Sequence, residues 1–448
     1  MRFDLNQAEA LLKKAANRGA TAGDLVVAEG DSFSAQVRLK EVEKISNARG
    51  KSLGLRLFFG NRSAITSTSD FSDESLDRLM SDTCALAKIA AEDPHAGLPD
   101  PAMLAKSYPK LDLVDTEAEN RSLQEKIEMA RRGEEAALEY DPRITNSEGA
   151  DFGHYHSRVL YASSGGFLGS YEITGLSLSV TPIATQEGRM QRDYWYSSRR
   201  GFAQLESPES VGRKAATRTL RRLGGRKVVT QQVPVIFDPE NAPSLLGHLA
   251  SAISGYALYK GASFLLDTLG TRIAAAGLTV VDDPTLPSGL GSRPFDGEGL
   301  PSYRKIVVEN GILKTYLLDT YSGRKLGLPS TGNAARGVGD PPTVGSTNFH
   351  MKPGKYSPKE IIRSVKSGLY VTELIGFGVN LVTGDYSRGA VGLWIENGEL
   401  TYPVEEITIA GNLKEMFQNI EMIGNDLDPW KRTSAPTLKI AGMTVAGN

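Results

Sequence analysis

Glycine punctuates this chain throughout. It holds 47 of 448 positions, about a tenth, against the ~7% of an average protein. That excess weighs against a helical bundle and towards many short strands joined by tight turns. At roughly 150 residues per domain, the length suits two or three domains with real cores. An amphipathic helix with Leu11 and Leu12 opens the chain, and alternating stretches at 24–28, 34–42, 53–59 and 64–67 then read as strands. Glu29-Gly30-Asp31 and Gly60-Asn61 supply turn residues between them. Residues 73–91 return to helical spacing, with Leu76, Leu79, Cys84, Leu86 and Ile89 on or near one face. Cys84 therefore reads as a small core residue, since no cations cluster around it in sequence.

Residues 93–115 carry Pro94, Pro99, Pro101 and Pro109 with little periodicity, the pattern of a linker. A long helix over 116–139, stopped by Asp141-Pro142, opens a second module, and strands are predicted from 144 to about 205. Tyr155, Tyr161, Tyr171, Tyr194, Trp195 and Tyr196 in that stretch suit cross-strand packing. Ser207-Pro208-Glu209 is a helix start, and the helix reaches Leu223 before Gly224-Gly225. Beyond residue 228, a strand at 233–237 and a helix at about 241–258 precede many short strands. The Asn310-Gly311 and Asn397-Gly398 turns are strong hairpin signals there. The expected fold class is α+β. Mixed α/β modules at 1–92 and 116–228 flank the linker 93–115, and a β-rich, sandwich- or barrel-like domain spans 229–448.

Much chemistry is excluded early. One cysteine leaves no intramolecular disulfide and no multi-thiolate metal site, and five histidines are a thin supply of ligands. A net charge of −2 lacks the footprint of a dedicated nucleic-acid binder. The cations Arg213, Lys214, Arg218, Arg221, Arg222, Arg226 and Lys227 fit a solvated helix face complementing its dipole. No signal sequence and no membrane-spanning run is visible, so a cytoplasmic protein is expected. Arg49-Gly50-Lys51-Ser52 ends like a phosphate loop but has Ile45 where the first glycine belongs, and it reads as a turn. Gly289-Leu290-Gly291 starts a dinucleotide fingerprint that Pro294 breaks. His154 and His156 share a strand face without a third ligand nearby. The neighbours Asp282-Asp283 and Glu405-Glu406 point to opposite sides of a strand and make poor acid–base pairs.

The longer blocks say more. They include Val233-Pro234-Val235-Ile236-Phe237-Asp238-Pro239-Glu240, Leu245-Leu246-Gly247-His248-Leu249-Ala250-Ser251-Ala252, Gly297-Glu298-Gly299 and Ser330-Thr331-Gly332-Asn333-Ala334. Further on come Val382-Thr383-Gly384-Asp385-Tyr386-Ser387-Arg388-Gly389, Trp394-Ile395-Glu396-Asn397-Gly398 and Ile423-Gly424-Asn425-Asp426-Leu427. Together, in order and densest after residue 230, they resemble the TldD/PmbA family. The resemblance implies a protease built from two related subunits. Its zinc-bearing TldD-type subunit carries H-E-x-x-x-H on a helix and a Cys near the C-terminus; two imidazoles and a thiolate hold Zn²⁺ while the Glu takes a proton from metal-bound water. The PmbA (TldE) type lacks that set.

Aligned on Leu245-Leu246, the first His position falls on Gly247, the Glu on His248 and the last His on Ala252. Sliding by one residue keeps His248 but loses the Glu and the last His. The interval 428–435 contains no Cys. The chain is therefore identified as the PmbA/TldE type, with no metal and no catalytic residue of its own and zinc in its partner. The resemblance implies that a TldD-type subunit is the partner and that unfolded or extended peptides are substrates, including peptide-antibiotic precursors and a labile antitoxin. A homodimer in isolation is allowed; nucleic acid and membrane are not expected partners. Ser330, Thr331, Gly332 and Asn333 are candidate peptide- or partner-facing residues, with a structural turn as the other reading. Two alternatives stay open: a self-sufficient metallopeptidase using His154/His156 or His248, and a regulatory module of the gyrase-modulator kind.

Overall fold

The computed structural model describes residues 3–447. Helix α1 (Leu5–Asn17) starts at a capping box between Asp4 and Gln7 and buries Ala8, Leu11, Leu12 and Ala15. Strands β1 (Ala22–Arg38), β2 (Glu41–Phe59) and β3 (Arg62–Thr68) follow, then α2 (Asp73–Ile89). The expected helix over 116–139 is two pieces, α3 (Glu117–Asn120) and α4 (Leu123–Leu138), because Ser122 and Glu125 form a new capping box. Next come β4 (Ile144–Ser163), β5 (Leu168–Gln186), β6 (Arg189–Arg192), β7 (Trp195–Arg199) and α5 (Pro208–Leu220).

All seven strands form one antiparallel sheet in the order β3-β2-β1-β4-β5-β6, with β7 also on β5. Strands from both sides of the 93–115 stretch thus share one ladder. The turn expected at Glu29-Gly30-Asp31 does not exist. Gly30 lies in mid-strand between Gly50 and Ser157, and a Cβ there would meet the His156 carbonyl oxygen at 2.7 Å. Glycine here admits a close neighbouring strand rather than a reversal. Arg49-Gly50-Lys51-Ser52 is likewise strand, not turn. The true reversal is Leu39-Lys40, with φ of 50° and 69°. Two non-glycine residues hold that conformation because the buried Glu134 carboxylate accepts both of their amides, at 2.9 and 2.8 Å.

Helices α1 and α2 cover Leu25, Val27, Leu53, Leu55 and Leu57, with Cys84 inside that core as expected. Farther along the same strands, α4 and α5 cover Ala35, Val37, Phe152, Leu178 and Val180. The cations in and after α5 divide: Arg213, Lys214, Arg226 and Lys227 are exposed as expected, while Arg218, Arg221 and Arg222 are turned inward. Arg218 lies 3.3 Å from Asp193 and 3.6 Å from Asp238, and Lys214 lies 2.7 Å from Glu206, while Arg222 pairs with Glu373.

The rest of the chain holds β8 (Gln231–Phe237), α6 (Ala242–Ala252), α7 (Gly255–Tyr259), β9 (Val280–Asp282), β10 (Lys305–Glu309) and β11 (Ile312–Leu313). Then come α8 (Thr320–Leu326), β12 (Ala334–Ala335), β13 (Thr343–Val344), β14 (Phe349–Met351), α9 (Pro358–Arg363), β15 (Ser367–Ile375), β16 (Asp385–Glu396) and β17 (Glu399–Asn412). Last are α10 (Leu413–Gln418), β18 (Ile420–Ile423), β19 (Thr433–Ser434) and β20 (Leu438–Ala446). The order β17-β16-β15-β8-β20 closes through a β17–β20 pairing, which makes a five-stranded barrel. The α+β expectation with a β-rich final part is borne out, and the barrel reading is the correct one. The barrel core includes Val235, Phe237, Leu369, Trp394, Ile409 and Ile440, and α6 adds Leu245, Leu246, Leu249 and Ala252. The large sheet turns its other face, with Val26 and Tyr161, to Phe295 of this final segment, and Phe167 of the β4–β5 connection joins that cluster. A Cβ on Gly54 would lie 1.5 Å from the Val338 carbonyl oxygen, so a loop of the final segment rests directly on the sheet backbone. No helix among the described residues is long and apolar enough to cross a membrane.

Candidate functional site

Helix α6 begins where Asp238 accepts the Asn241 amide and side chain, at 2.9 and 2.7 Å. Its apolar stripe is committed to the core, which leaves Gly247 exposed and His248 half-buried while Ala252 is fully buried. The His248 ring meets Tyr386 edge-on at 6.0 Å, and its Nε2 is buried without a hydrogen-bond partner. Burial pushes its pKa down, and the Arg388 charge adds to that shift. Helix α6 packs on β19, within the 428–435 stretch. The two places that the resemblance assigns to zinc ligands are therefore neighbours in space. One imidazole beside a guanidinium, with Gly247 and Ala252 offering no donor, does not fit a dication. Among the described residues no cluster of three His, Cys, Asp or Glu side chains is placed to hold a metal.

His154 stacks on Phe33 at 5.5 Å, and burial followed by the Lys126 charge lowers its pKa. His156 lies between Glu119 on Nδ1 at 2.7 Å and Glu172 on Nε2 at 3.0 Å. Those carboxylates hold opposite edges of the ring, so they cross-link α3 to the sheet instead of converging on a common ion. Asp282 and Asp283 have separate partners, as do Glu405 and Glu406. Asp282 accepts from Thr347 and Asn333, Asp283 from Thr285, Glu405 from Gln191, and Glu406 from Lys227.

The 330–333 segment is a tightly bonded turn. Ser330 Oγ donates to the Leu318 carbonyl at 3.2 Å, and Thr331 Oγ1 accepts from the Leu318 amide at 2.7 Å. Gly332 turns with φ of 66°, and the fully buried Asn333 donates to Asp282 at 2.8 Å. Thr331 and Asn333 serve this internal network, and Ser330 is the half-exposed member.

The densest buried charge lies where the large sheet meets the final segment. Asp24, fully buried on β1, accepts from Arg56 Nε at 3.1 Å and Tyr161 OH at 3.1 Å, with Arg336 Nη1 at 2.8 Å. Burial alone would raise the Asp24 pKa, but Arg336 and Arg56 together outweigh it and hold the carboxyl below its usual range. Beside this knot opens a cavity of 610 Å³. β2 and β3 line it on one side, α7 and α8 on the other, and Glu298 faces it. Glu298 is 1% exposed and accepts the Thr320 amide at 2.9 Å. Burial, then the Asp296 charge, pushes its pKa up to about 7.

Three sequence profiles run along the chain in order: PmbA/TldA metallopeptidase domain 1 over residues 23–87, the central domain over 117–223 and the C-terminal domain over 230–447. The Metalloprotease PmbA of Escherichia coli O157:H7 is 41% identical, across 95% of this chain and 92% of that protein. The chain belongs to the PmbA/TldD family. A crystal structure from Bacteroides thetaiotaomicron, described as a candidate modulator of DNA gyrase, superposes with a TM-score of 0.92 at 31% identity over 100% of both chains. TldE from Thermococcus kodakarensis has the same fold, with a TM-score of 0.88 at 23% identity over 98% of this chain and 99% of its own.

For this PmbA/TldD member the sequence alone did not single out Asp24, Arg56 or Arg336. The one local hint was an acid opening the apolar run Leu25-Val26-Val27. Glu298 did appear, inside the resembling Gly297-Glu298-Gly299 block, but its burial and the nearby charge of Arg56, 242 residues upstream, did not.

Proposed function

We propose that this chain is the subunit without zinc in a two-subunit TldD/TldE-type metallopeptidase that degrades or matures unfolded or extended peptides in the cytoplasm. One observation carries the reading. The α6 positions Gly247, His248 and Ala252 and the neighbouring 428–435 stretch together offer one imidazole, next to Arg388, and one carboxylate, Asp428, which Arg199 holds at 3.2 Å. Zinc and the water-activating carboxylate then belong to a TldD-type partner, and this chain completes the chamber around the peptide. Ser330, Thr331, Gly332 and Asn333 take part through the half-exposed Ser330 end, while Asn333 anchors the turn from within. The test is reconstitution. A TldD-type subunit with an intact H-E-x-x-x-H is expected to co-elute with this chain and to gain proteolysis of an unfolded protein on mixing. Full activity of the TldD-type subunit without this chain would contradict the reading.

A further inference from the structure

The cavity beside the Asp24 knot has a composition that selects its ligand. One wall is β3, which among the described residues is an edge strand of the large sheet with no strand on its outer side. An exposed edge offers unpaired main-chain groups that an extended peptide can match. The facing wall is aromatic: Tyr256, Tyr259 and Tyr321 form an edge-to-face ladder, with centroids 5.4 Å and 5.8 Å apart. Two of these rings already carry ammonium groups of this chain. Lys260 Nζ sits 4.0 Å from the Tyr256 centroid and Lys325 Nζ 5.4 Å from that of Tyr321. Between the walls lies Glu298, almost wholly buried yet facing the cavity. Its Oε2 accepts one backbone amide, and among the described residues it makes no ion pair. Arg56, whose charge reaches it, is held by Asp24.

A buried carboxylate lining a cleft with tyrosines, and making no ion pair among the described residues, is relieved either by taking a proton or by a cation that completes it. We infer that this cleft binds an extended peptide through a basic side chain, with the main chain on the β3 edge and the ammonium or guanidinium passing the tyrosines to Glu298. The inference rests on the proposed peptide-handling role and names the substrate chemistry for it: lysine or arginine at one position and little demand elsewhere. Other charged groups around Glu298 are Asp296 in its own loop, Arg56 on β2, Asp319 before α8 and Asp93 at the rim, where Tyr321 OH donates at 2.7 Å. Lys325 pairs with Asp93 at 3.8 Å and Lys260 stands on Tyr256, so the acids nearest Glu298 are Asp296 and Asp319, with Arg56 as the cation whose charge reaches it. A bound cation favours the ionised form of Glu298, so affinity rises as pH passes upward through about 7.

The test is calorimetric titration of the full chain at pH 8 with an acetylated, amidated pentapeptide of alanines with a central lysine. Norleucine in place of lysine gives the second probe, and n-butylamine the third. The lysine peptide is expected to bind about tenfold more tightly than the norleucine peptide, the scale of one desolvated cation–carboxylate and aromatic contact. Glu298→Gln should bring the two peptides within about twofold by weakening only the lysine peptide. Tyr259→Leu gives a second reading if that variant does not fold, and should weaken the lysine peptide alone. Equal affinity of the two peptides for the unmodified chain overturns the inference, as does n-butylamine binding as tightly as the lysine peptide. Proteolysis with the TldD-type subunit is measured separately. Lysine-selective binding without stimulated proteolysis would keep the cleft and remove the partner role; the reverse would keep the partner role and remove the cleft.

Discussion

Two regions of this molecule invert what a hydrolase fold leads one to look for. The outer stripe of α6, where the family resemblance implies the ligands of a zinc-bearing subunit, has one imidazole beside a cation, its buried Nε2 without a hydrogen-bond partner among the described residues. The junction between the large sheet and the final segment, where no motif points, holds Asp24, Arg56, Arg336, Tyr161 and Glu298, all buried or nearly so. The difference teaches where this chain concentrates its buried polar groups: in docking its parts and shaping a cleft. A buried ion network of this kind specifies one relative placement of the segments, because any other leaves charges without partners.

The strongest way to break the comparison is Asp24→Ala. It leaves two buried guanidiniums without their anion and should cost about 3–5 kcal/mol of stability in urea denaturation; a loss below about 1 kcal/mol would remove the junction's structural role. Glu298→Gln comes next. The Glu298 pKa lies above its unfolded value of 4.5, so its stabilising share is complete below that pH and is lost as pH rises through about 7. The variant should therefore be more stable than the parent by about 2–3 kcal/mol at pH 8, with the gap closing towards pH 5. Gly54→Ala probes the same junction from the backbone: the Val338 carbonyl must retreat, at a cost of about 1–2 kcal/mol read as a lower melting temperature. Smallest is His248→Phe. Its buried Nε2 has no partner to lose, so stability should move by less than about 1 kcal/mol. Proteolysis by the reconstituted pair should stay unchanged; a large loss would give α6 a role that its neighbours do not explain.

The sequence made local features legible where one residue type decides them. The Asn310-Gly311 and Asn397-Gly398 turns, the Ser207 cap and the core position of Cys84 needed no tertiary knowledge. It misled where the deciding partner is remote. Leu39-Lys40 turns because Glu134 binds its amides from 94 and 95 residues away, while Gly30 continues a strand because two neighbours close on it. That positions 247, 248 and 252 carry Gly, His and Ala was legible because the identity of a side chain needs no geometry to be noticed. The Asp24 knot was not, since its members come from β1, β2, β4 and the loop after β12 and meet only in the folded chain.

The account stands on the claim that water activation comes from elsewhere. The direct measurement is hydrolysis of an unfolded protein by this chain alone and after mixing with a TldD-type subunit, with zinc content determined on both. The account predicts no hydrolysis and no stoichiometric zinc for the chain alone, and chelator-sensitive hydrolysis only for the mixture. Chelator-sensitive hydrolysis by the pure chain, with about one tightly held zinc per molecule, would contradict it.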